Sequence, residues 1–120
     1  DVQPFFASAV WRRIRQAAQI LREEPFITAL PADEVVPGSG VPGAEVLVQG
    51  IADLVLVFDD HAEILDYKTD RSTDADFYLR EYADQLRLYR RAFAQRLRVP
   101  VTKLTIYSFT MQQEIDVPLR

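Results

Sequence analysis

Two aspartates and one lysine have the residue types and the spacing of a hydrolytic metal site. The apolar stretches Glu45–Phe58 and His61–Lys68 predict two strands joined by a two-residue turn. Such a turn would place Asp53 directly opposite Asp66. Because side chains alternate along a strand, Lys68 would share the face of Asp66. A three-residue loop would shift the register by one, and a bulge would then be needed to keep both aspartates on one face.

The facing carboxylates predict a divalent cation. Two like charges in apolar strands repel each other, and a cation between them removes the repulsion. Oxygen ligands suit Mg²⁺, and Mn²⁺ or Ca²⁺ would fit the same site. Such an ion activates water and stabilises charge on phosphate oxygens, while Lys68 would position the water or bind the phosphate. The alternative is that Asp53 and Asp66 are exposed and Lys68 pairs with one of them.

Hydrophobic periodicity predicts the elements that must position these residues. In chain order they are a helix Phe5–Leu21, a short strand Pro25–Leu30, a mobile proline- and glycine-rich loop 31–43, strands Glu45–Phe58 and His61–Lys68, a helix Asp76–Leu97, and strands Val101–Phe109 and Glu114–Val117. Gly50 indicates a bend or bulge within its strand. The order α-β-β-β-α-β-β predicts an α/β fold, a mixed β-sheet flanked by helices.

Composition narrows the functional classes. With 120 residues the chain suits one domain over residues 1–120, and it has no apolar run long enough for a membrane helix. The absence of cysteine excludes disulfides and iron–sulfur clusters and fits a cytoplasmic protein. The net charge of −4 speaks weakly against nucleic-acid binding, but six arginines lie between Arg80 and Arg98. Arg87, Arg90 and Arg91 fall off the apolar stripe, where they could track DNA phosphates.

Four ordered motifs resemble the RecB-like nucleases of the PD-(D/E)xK superfamily. They are Arg22-Glu23-Glu24-Pro25-Phe26, Gln49-Gly50-Ile51-Ala52-Asp53, Leu65-Asp66-Tyr67-Lys68-Thr69-Asp70, and Gln85-Leu86-Arg87-Leu88-Tyr89, which resembles the family's Gln-x-x-x-Tyr motif. The resemblance covers about residues 10 to 118. It implies a restriction-endonuclease-like fold and a metal-dependent DNA exonuclease. It also implies a larger ATP-driven helicase–nuclease, with a partner subunit, that processes double-strand breaks.

The resemblance also implies the roles of individual residues. Asp53 and Asp66 would be metal ligands together with the backbone carbonyl of Tyr67, and Lys68 would be the catalytic lysine.

Three further residues have a family role and an ordinary alternative. Gln85 and Tyr89 would share a helix face that borders the active site and the DNA. The alternative for Tyr89 is core packing within the aromatic stripe. Glu23 would lie at the edge of the site, either as a catalytic residue or as a solvated charge at the end of a helix.

Two departures from the family pattern limit these expectations. The four-cysteine iron–sulfur clamp of some relatives is absent, which favours the helicase–nuclease branch. Relatives also carry a metal-binding histidine on an upstream helix, whereas His61, the only histidine here, is predicted as a solvated turn residue. Either that helix is missing from the 120 residues or the site lacks the ligand, so we expect the fragment to bind metal weakly and to be inactive alone. The alternatives are a stand-alone, phage or CRISPR-linked nuclease, and a degenerate fold used for DNA binding or subunit docking.

Overall fold

Five strands form one mixed sheet in the computed structural model, which describes residues 3–38 and 42–120. The elements are α1 (Gln3–Phe6), α2 (Ala9–Gln16), β1 (Gln19–Pro31), α3 (Ala32–Val35), β2 (Glu45–Val57), β3 (Ala62–Lys68), α4 (Ala75–Arg96), β4 (Val101–Ser108) and β5 (Gln113–Val117). The strand order is β1-β2-β3-β4-β5, with β3 and β4 parallel and the other pairs antiparallel. The predicted mixed sheet flanked by helices is therefore confirmed, and the last five predicted elements are each correct to within one residue at either end.

The predicted first helix, Phe5–Leu21, is wrong. The Ser8 hydroxyl accepts a hydrogen bond from the Trp11 N–H at 3.1 Å and caps a new helix, α2. That helix ends at Gln16, and Leu21 lies on β1 although its spacing continues the helical pattern. The strand is therefore longer than the predicted Pro25–Leu30.

Proline within β1 is compatible with its place in the sheet. β1 is an edge strand, and an edge strand tolerates a residue that has no N–H to donate. The predicted loop 31–43 instead begins with the short helix α3, whose Ala32 is buried. Its tip, residues 39–41, lies outside the described residues.

The predicted hairpin is correct. The Phe58 N–H donates to the His61 carbonyl at 2.8 Å, which closes a two-residue turn. The β2–β3 ladder then keeps the predicted register and ends at Leu54 opposite Leu65. Regular pairing therefore stops one position before Asp53 and Asp66.

The helices cover the two faces of the sheet unequally. On one face, α4 packs against a large core drawn from all five strands. On the other face, α1 and α2 cover a smaller cluster made of Phe5, Val10, Ile14, Leu54, Leu56, Leu65 and Tyr107. Strand β3 is covered by α4 on one face and by α1 and α2 on the other, so its residues from Ala62 to Asp66 are all buried.

The side-chain alternation of β2 breaks at Asp53. Ala52 and Val55 both join the core under α4, whereas Leu54 joins the cluster under α2. An uninterrupted strand would put Ala52 and Leu54 on the same face. On β1, Glu23 lies between the pairs Arg22–Leu54 and Glu24–Ala52, and its φ of 47° is left-handed. Both strands are therefore irregular at the same level of the sheet.

The bulge predicted at Gly50 lies elsewhere. Gly50 pairs regularly with Phe26, and the irregularity comes three residues later. A Cβ atom at Gly50 would lie 3.2 Å from Cζ of Phe26 and 3.3 Å from Cε1 of Tyr89. Glycine at this position therefore reflects the close approach of two aromatic rings.

Candidate active site

The predicted acidic pair lies where β2 and β3 diverge. The Tyr67 N–H donates to Oδ2 of Asp53 at 2.8 Å, so a carboxylate takes the place of a carbonyl in the ladder. The carboxyl groups of Asp53 and Asp66 lie close enough to interact, because Asp53 contributes to the raised pKa of Asp66. The structure therefore brings the two predicted aspartates together, with Asp53 half-buried and Asp66 buried.

Burial dominates the electrostatics of Asp66. Its side chain is on the central strand β3, and loss of solvation raises its pKa to about 6. The neighbouring carboxyl group of Asp53 also raises this pKa, while Lys68 lowers it. Oδ2 of Asp66 lies 2.9 Å from Nζ of Lys68, yet it receives no well-aligned hydrogen bond from the described residues. A buried acceptor of this kind has capacity left for another positively charged partner.

Lys68 is held by two neighbours. Besides the contact with Asp66, its Nζ lies 4.0 Å from the ring centroid of Tyr82 on α4. The Tyr82 hydroxyl donates to Oδ2 of Asp70 at 2.7 Å, and this bond raises the pKa of Tyr82 to about 12. The backbone carbonyl of Asp70 accepts a further bond from the Tyr78 hydroxyl. Lysine, tyrosine and aspartate thus form a fixed group beside Asp66.

Sequence reasoning gave neither Tyr82 nor Asp70 a role in the site. A sequence signal was available, because Tyr82 precedes Tyr89 by two helical turns and so shares its face. That face was already predicted to border the site.

The other predicted residues surround this centre unevenly. Tyr89 is buried and packs edge-on against Phe26 with ring centroids 5.0 Å apart. Burial raises its pKa, and the charges of Asp66 and Asp53 raise it further. It therefore belongs to the core and to the rim of the site. Gln85 is exposed on α4, and Glu23 is exposed beside Asp53. Catalytic roles for these three residues stay predictions.

His61 lies in the turn, as predicted, but is only partly solvated. Its ring stacks on Phe58 at 4.5 Å, and Nδ1 lies 2.6 Å from Asp60. It is not among the residues gathered around Asp66.

Arg87, Arg90 and Arg91 of α4 are partly exposed, as predicted, but each of these three already has a protein partner. Arg87 donates to the Pro118 carbonyl and to Asp84, Arg90 donates to the Val101 carbonyl, and Arg91 pairs with Glu34. These bonds fasten the helix to its neighbours. Phosphate contacts by these arginines stay a prediction.

The oxygen atoms of Asp53 and Asp66 suit a magnesium ion that takes its other ligands from water and substrate. Within residues 3–38 and 42–120, no group of three or more histidine, cysteine, aspartate or glutamate residues is arranged to hold a metal. The side chains supply two carboxylates, and the Tyr67 carbonyl stays the predicted third ligand. Mg²⁺ commonly binds through one or two carboxylates and fills its remaining positions with water and substrate phosphate. Asp53 and the buried Oδ2 of Asp66 therefore suit such an ion.

Comparison with known families agrees with this fold and these motifs. The family model of the PD-(D/E)XK nuclease superfamily matches residues 3–117. The chain therefore belongs to the PD-(D/E)XK nuclease superfamily.

Within that class, the chain resembles one kind of protein, the AddA subunit of ATP-dependent helicase/nucleases. It is 41% identical to the AddA protein from Geobacillus thermodenitrificans, over 88% of this chain and 9% of the relative. The AddA protein from Oceanobacillus iheyensis is 36% identical over 99% of this chain and 10% of the relative. The chain thus spans about a tenth of the length of these curated relatives.

A solved structure resembles the fold alone. The crystal structure of SSO0001 matches with a TM-score of 0.54 and 21% identity, and the match covers 84% of this chain and 43% of that one. Among the described residues, no helix has the length and apolar character needed to span a membrane.

Proposed function

We propose that this chain is a metal-dependent DNA exonuclease domain that hydrolyses phosphodiester bonds. The supporting observation is the buried Asp66 with Asp53 and Lys68 beside it, at the point where two strands diverge. We further propose that residues 1–120 are one domain of an ATP-driven helicase–nuclease with a partner subunit. Such a protein would act in double-strand break repair and recombination in the cytoplasm, where bacterial DNA lies.

In the proposed mechanism each residue has a limited task. Asp53, Asp66 and the Tyr67 carbonyl would hold Mg²⁺, with Mn²⁺ or Ca²⁺ as possible substitutes, and Lys68 would orient the attacking water or the phosphate. When bound, the ion lowers the pKa of water and stabilises charge on the phosphate oxygens. Tyr82 and Asp70 keep Lys68 in place, so its ammonium group need not reorganise during the reaction.

Two alternatives are less well supported. A stand-alone, phage or CRISPR-linked nuclease would not account for the similarity to helicase/nuclease proteins over most of the chain. A degenerate fold used for DNA binding or docking would have no need of a buried carboxylate beside a second one, an arrangement that costs stability. The two carboxylates alone are a small ligand set, so we expect the isolated chain to bind metal weakly and to be inactive.

The test is Asp66→Ala in the full-length protein, with Asp59→Ala in the exposed hairpin turn as the matched control. Asp66→Ala should reduce Mg²⁺-dependent DNA degradation by more than about 100-fold, because groups that merely support a metal ligand already account for 10- to 100-fold. ATP-driven unwinding should persist in both variants, and a cooperative urea unfolding curve of residues 1–120 carrying each substitution would show that the domain still folds. Near-normal degradation by Asp66→Ala would rule out the proposed function.

A further inference from the structure

A groove opens beside Asp53 on the side of the sheet covered by α2. Its volume is about 430 Å³, and aromatic rings from Phe6, Trp11 and Tyr67 line it. Arg22 and Glu23 lie along the same groove. A larger groove of about 670 Å³, between the outer part of β1 and the end of α4, contains none of the predicted site residues. The smaller groove is therefore the one that is continuous with the candidate active site.

The aromatic wall of this groove is open to solvent. Phe6 is 49% exposed, which is unusual for a ring that has a core close by. It meets Trp11 edge-on, with ring centroids 4.9 Å apart, so the contact fixes its orientation. An oriented, exposed ring offers a flat apolar surface to a planar ligand.

Arg22 gives the groove one contact for a phosphate. Arg22 is exposed and forms no ion pair with any described residue, whereas Arg13, Arg91 and Arg96 each bind a carboxylate. Asp53 and Glu23 would repel a phosphate unless a cation neutralised them, so the anionic part of the ligand should lie toward Arg22 or at the metal site. An exposed aromatic surface next to an unpaired arginine is how proteins hold single-stranded nucleic acid without reading its sequence.

We propose that the groove formed by Phe6, Trp11, Tyr67 and Arg22 takes one nucleobase of the DNA strand, adjacent to the phosphate at the proposed metal site of Asp53 and Asp66. The base stacks on the Phe6–Trp11 wall, and Arg22 contacts a neighbouring phosphate. This subsite rests on the proposed nuclease function, because it assigns the groove to the same substrate. Stacking accepts every base, so the subsite anchors the strand at the site without sequence preference.

The subsite is tested by a stacking probe in the full-length protein without divalent metal, so that no strand is cut. The probe is a single-stranded oligodeoxynucleotide with one 2-aminopurine, whose fluorescence falls when the base stacks. At one position of the probe, quenching should occur with the wild type and be lost with Phe6→Ala. Phe6→Trp should retain it, and Leu47→Ala, at a residue 73% exposed on a distant part of the sheet, should leave it unchanged.

A second measurement links stacking to cleavage. With Mg²⁺, Phe6→Ala should raise KM for single-stranded DNA about 5- to 20-fold, in the lower part of the range for loss of one stacked base. A substrate that lacks the base at that one position should raise KM for the wild type equally. Combining the variant with that substrate should add no further increase, because both changes remove one contact.

Several results would overturn the subsite. Equal quenching with wild type and Phe6→Ala would do so, as would independent, additive effects of the variant and the missing base. A Phe6→Ala protein that loses thermal stability without any change in quenching would show that another protein segment fills the groove. The quenching measurement needs neither divalent metal nor cleavage, so the subsite and the nuclease function fail separately.

Discussion

The β1–β2 ribbon has two halves that differ in how they are buried, and the candidate site lies at their boundary. In the inner half, Leu54 and Leu56 pack under α2 while Val55 packs under α4, so both faces are covered. In the outer half, the residues that the structure describes cover only the face toward α4. Its other face exposes Ile27, Leu47 and Ile51, which are 65%, 73% and 58% exposed.

The boundary explains why the two aspartates differ. Asp66 is on the central strand, where both faces are covered, and its pKa is raised by burial. Asp53 is half-buried at the level where covering on the α2 side ends, so it is open to solvent through the groove. A metal site needs both properties, since a dry carboxylate strengthens cation binding and an open position admits the substrate.

The largest expected effect contrasts one leucine from each half. Leu56→Ala in the inner half should lower the free energy of unfolding by about 2 to 5 kcal/mol, because it leaves a cavity between the sheet and α2. Leu47→Ala in the outer half should change it by less than about 0.5 kcal/mol. Urea unfolding of both variants measures the difference. Equal losses would mean that the outer face is covered in solution.

A smaller effect concerns the dependence of stability on pH without metal. The folded chain holds the Asp66 proton up to pH about 6, whereas the unfolded chain loses it near its ordinary value of 3.8. The folded state therefore binds more protons in this window, and stability should fall as pH rises from about 4 to 6. The loss is up to roughly 3 kcal/mol. Asp66→Asn should flatten this part of the profile, and superimposable profiles for variant and wild type would contradict the burial.

The sequence was sufficient to predict those elements whose hydrophobic pattern is compatible with only one type of secondary structure. The hairpin register followed from a two-residue turn between strongly apolar strands, and the long helix followed from its stripe of aromatic and leucine residues. Asp53, Asp66 and Lys68 could be grouped for the same reason, since strand alternation and register are local properties.

Other features could not be predicted because they depend on tertiary contacts. The spacing of Val10, Ile14 and Leu21 fits one helix, yet Leu21 is needed on the edge strand and Ser8 offers a cap. The break in side-chain alternation at Asp53 on β2 requires a matching irregularity on β1. The residue types of β1 give no signal of where that irregularity lies. Left-handed backbone is rare for glutamate, so Glu23 could not be predicted to adopt it.

The smallest expected effect tests that irregularity, which divides the two halves. Glu23 has a φ of 47°, a conformation that costs an L-residue about 1 to 2 kcal/mol and glycine almost nothing. Glu23→Gly should therefore leave the free energy of unfolding unchanged or raise it by up to about 1 kcal/mol, after the added freedom of the unfolded chain is counted. Urea unfolding at neutral pH measures this change.

The neighbouring glutamate is the matched control. Glu24 is on the same strand and pairs with Arg96, so Glu24→Gly should lower the free energy of unfolding by about 1 kcal/mol. If both glycine variants lose the same stability, the backbone at Glu23 is not strained. Nuclease activity then separates the two roles proposed for this residue. If the Glu23 carboxylate is catalytic, Glu23→Gln should be as defective as Glu23→Gly. If it is a solvated charge, both variants should stay active, because the backbone at position 23 keeps its conformation beside Asp53 in each.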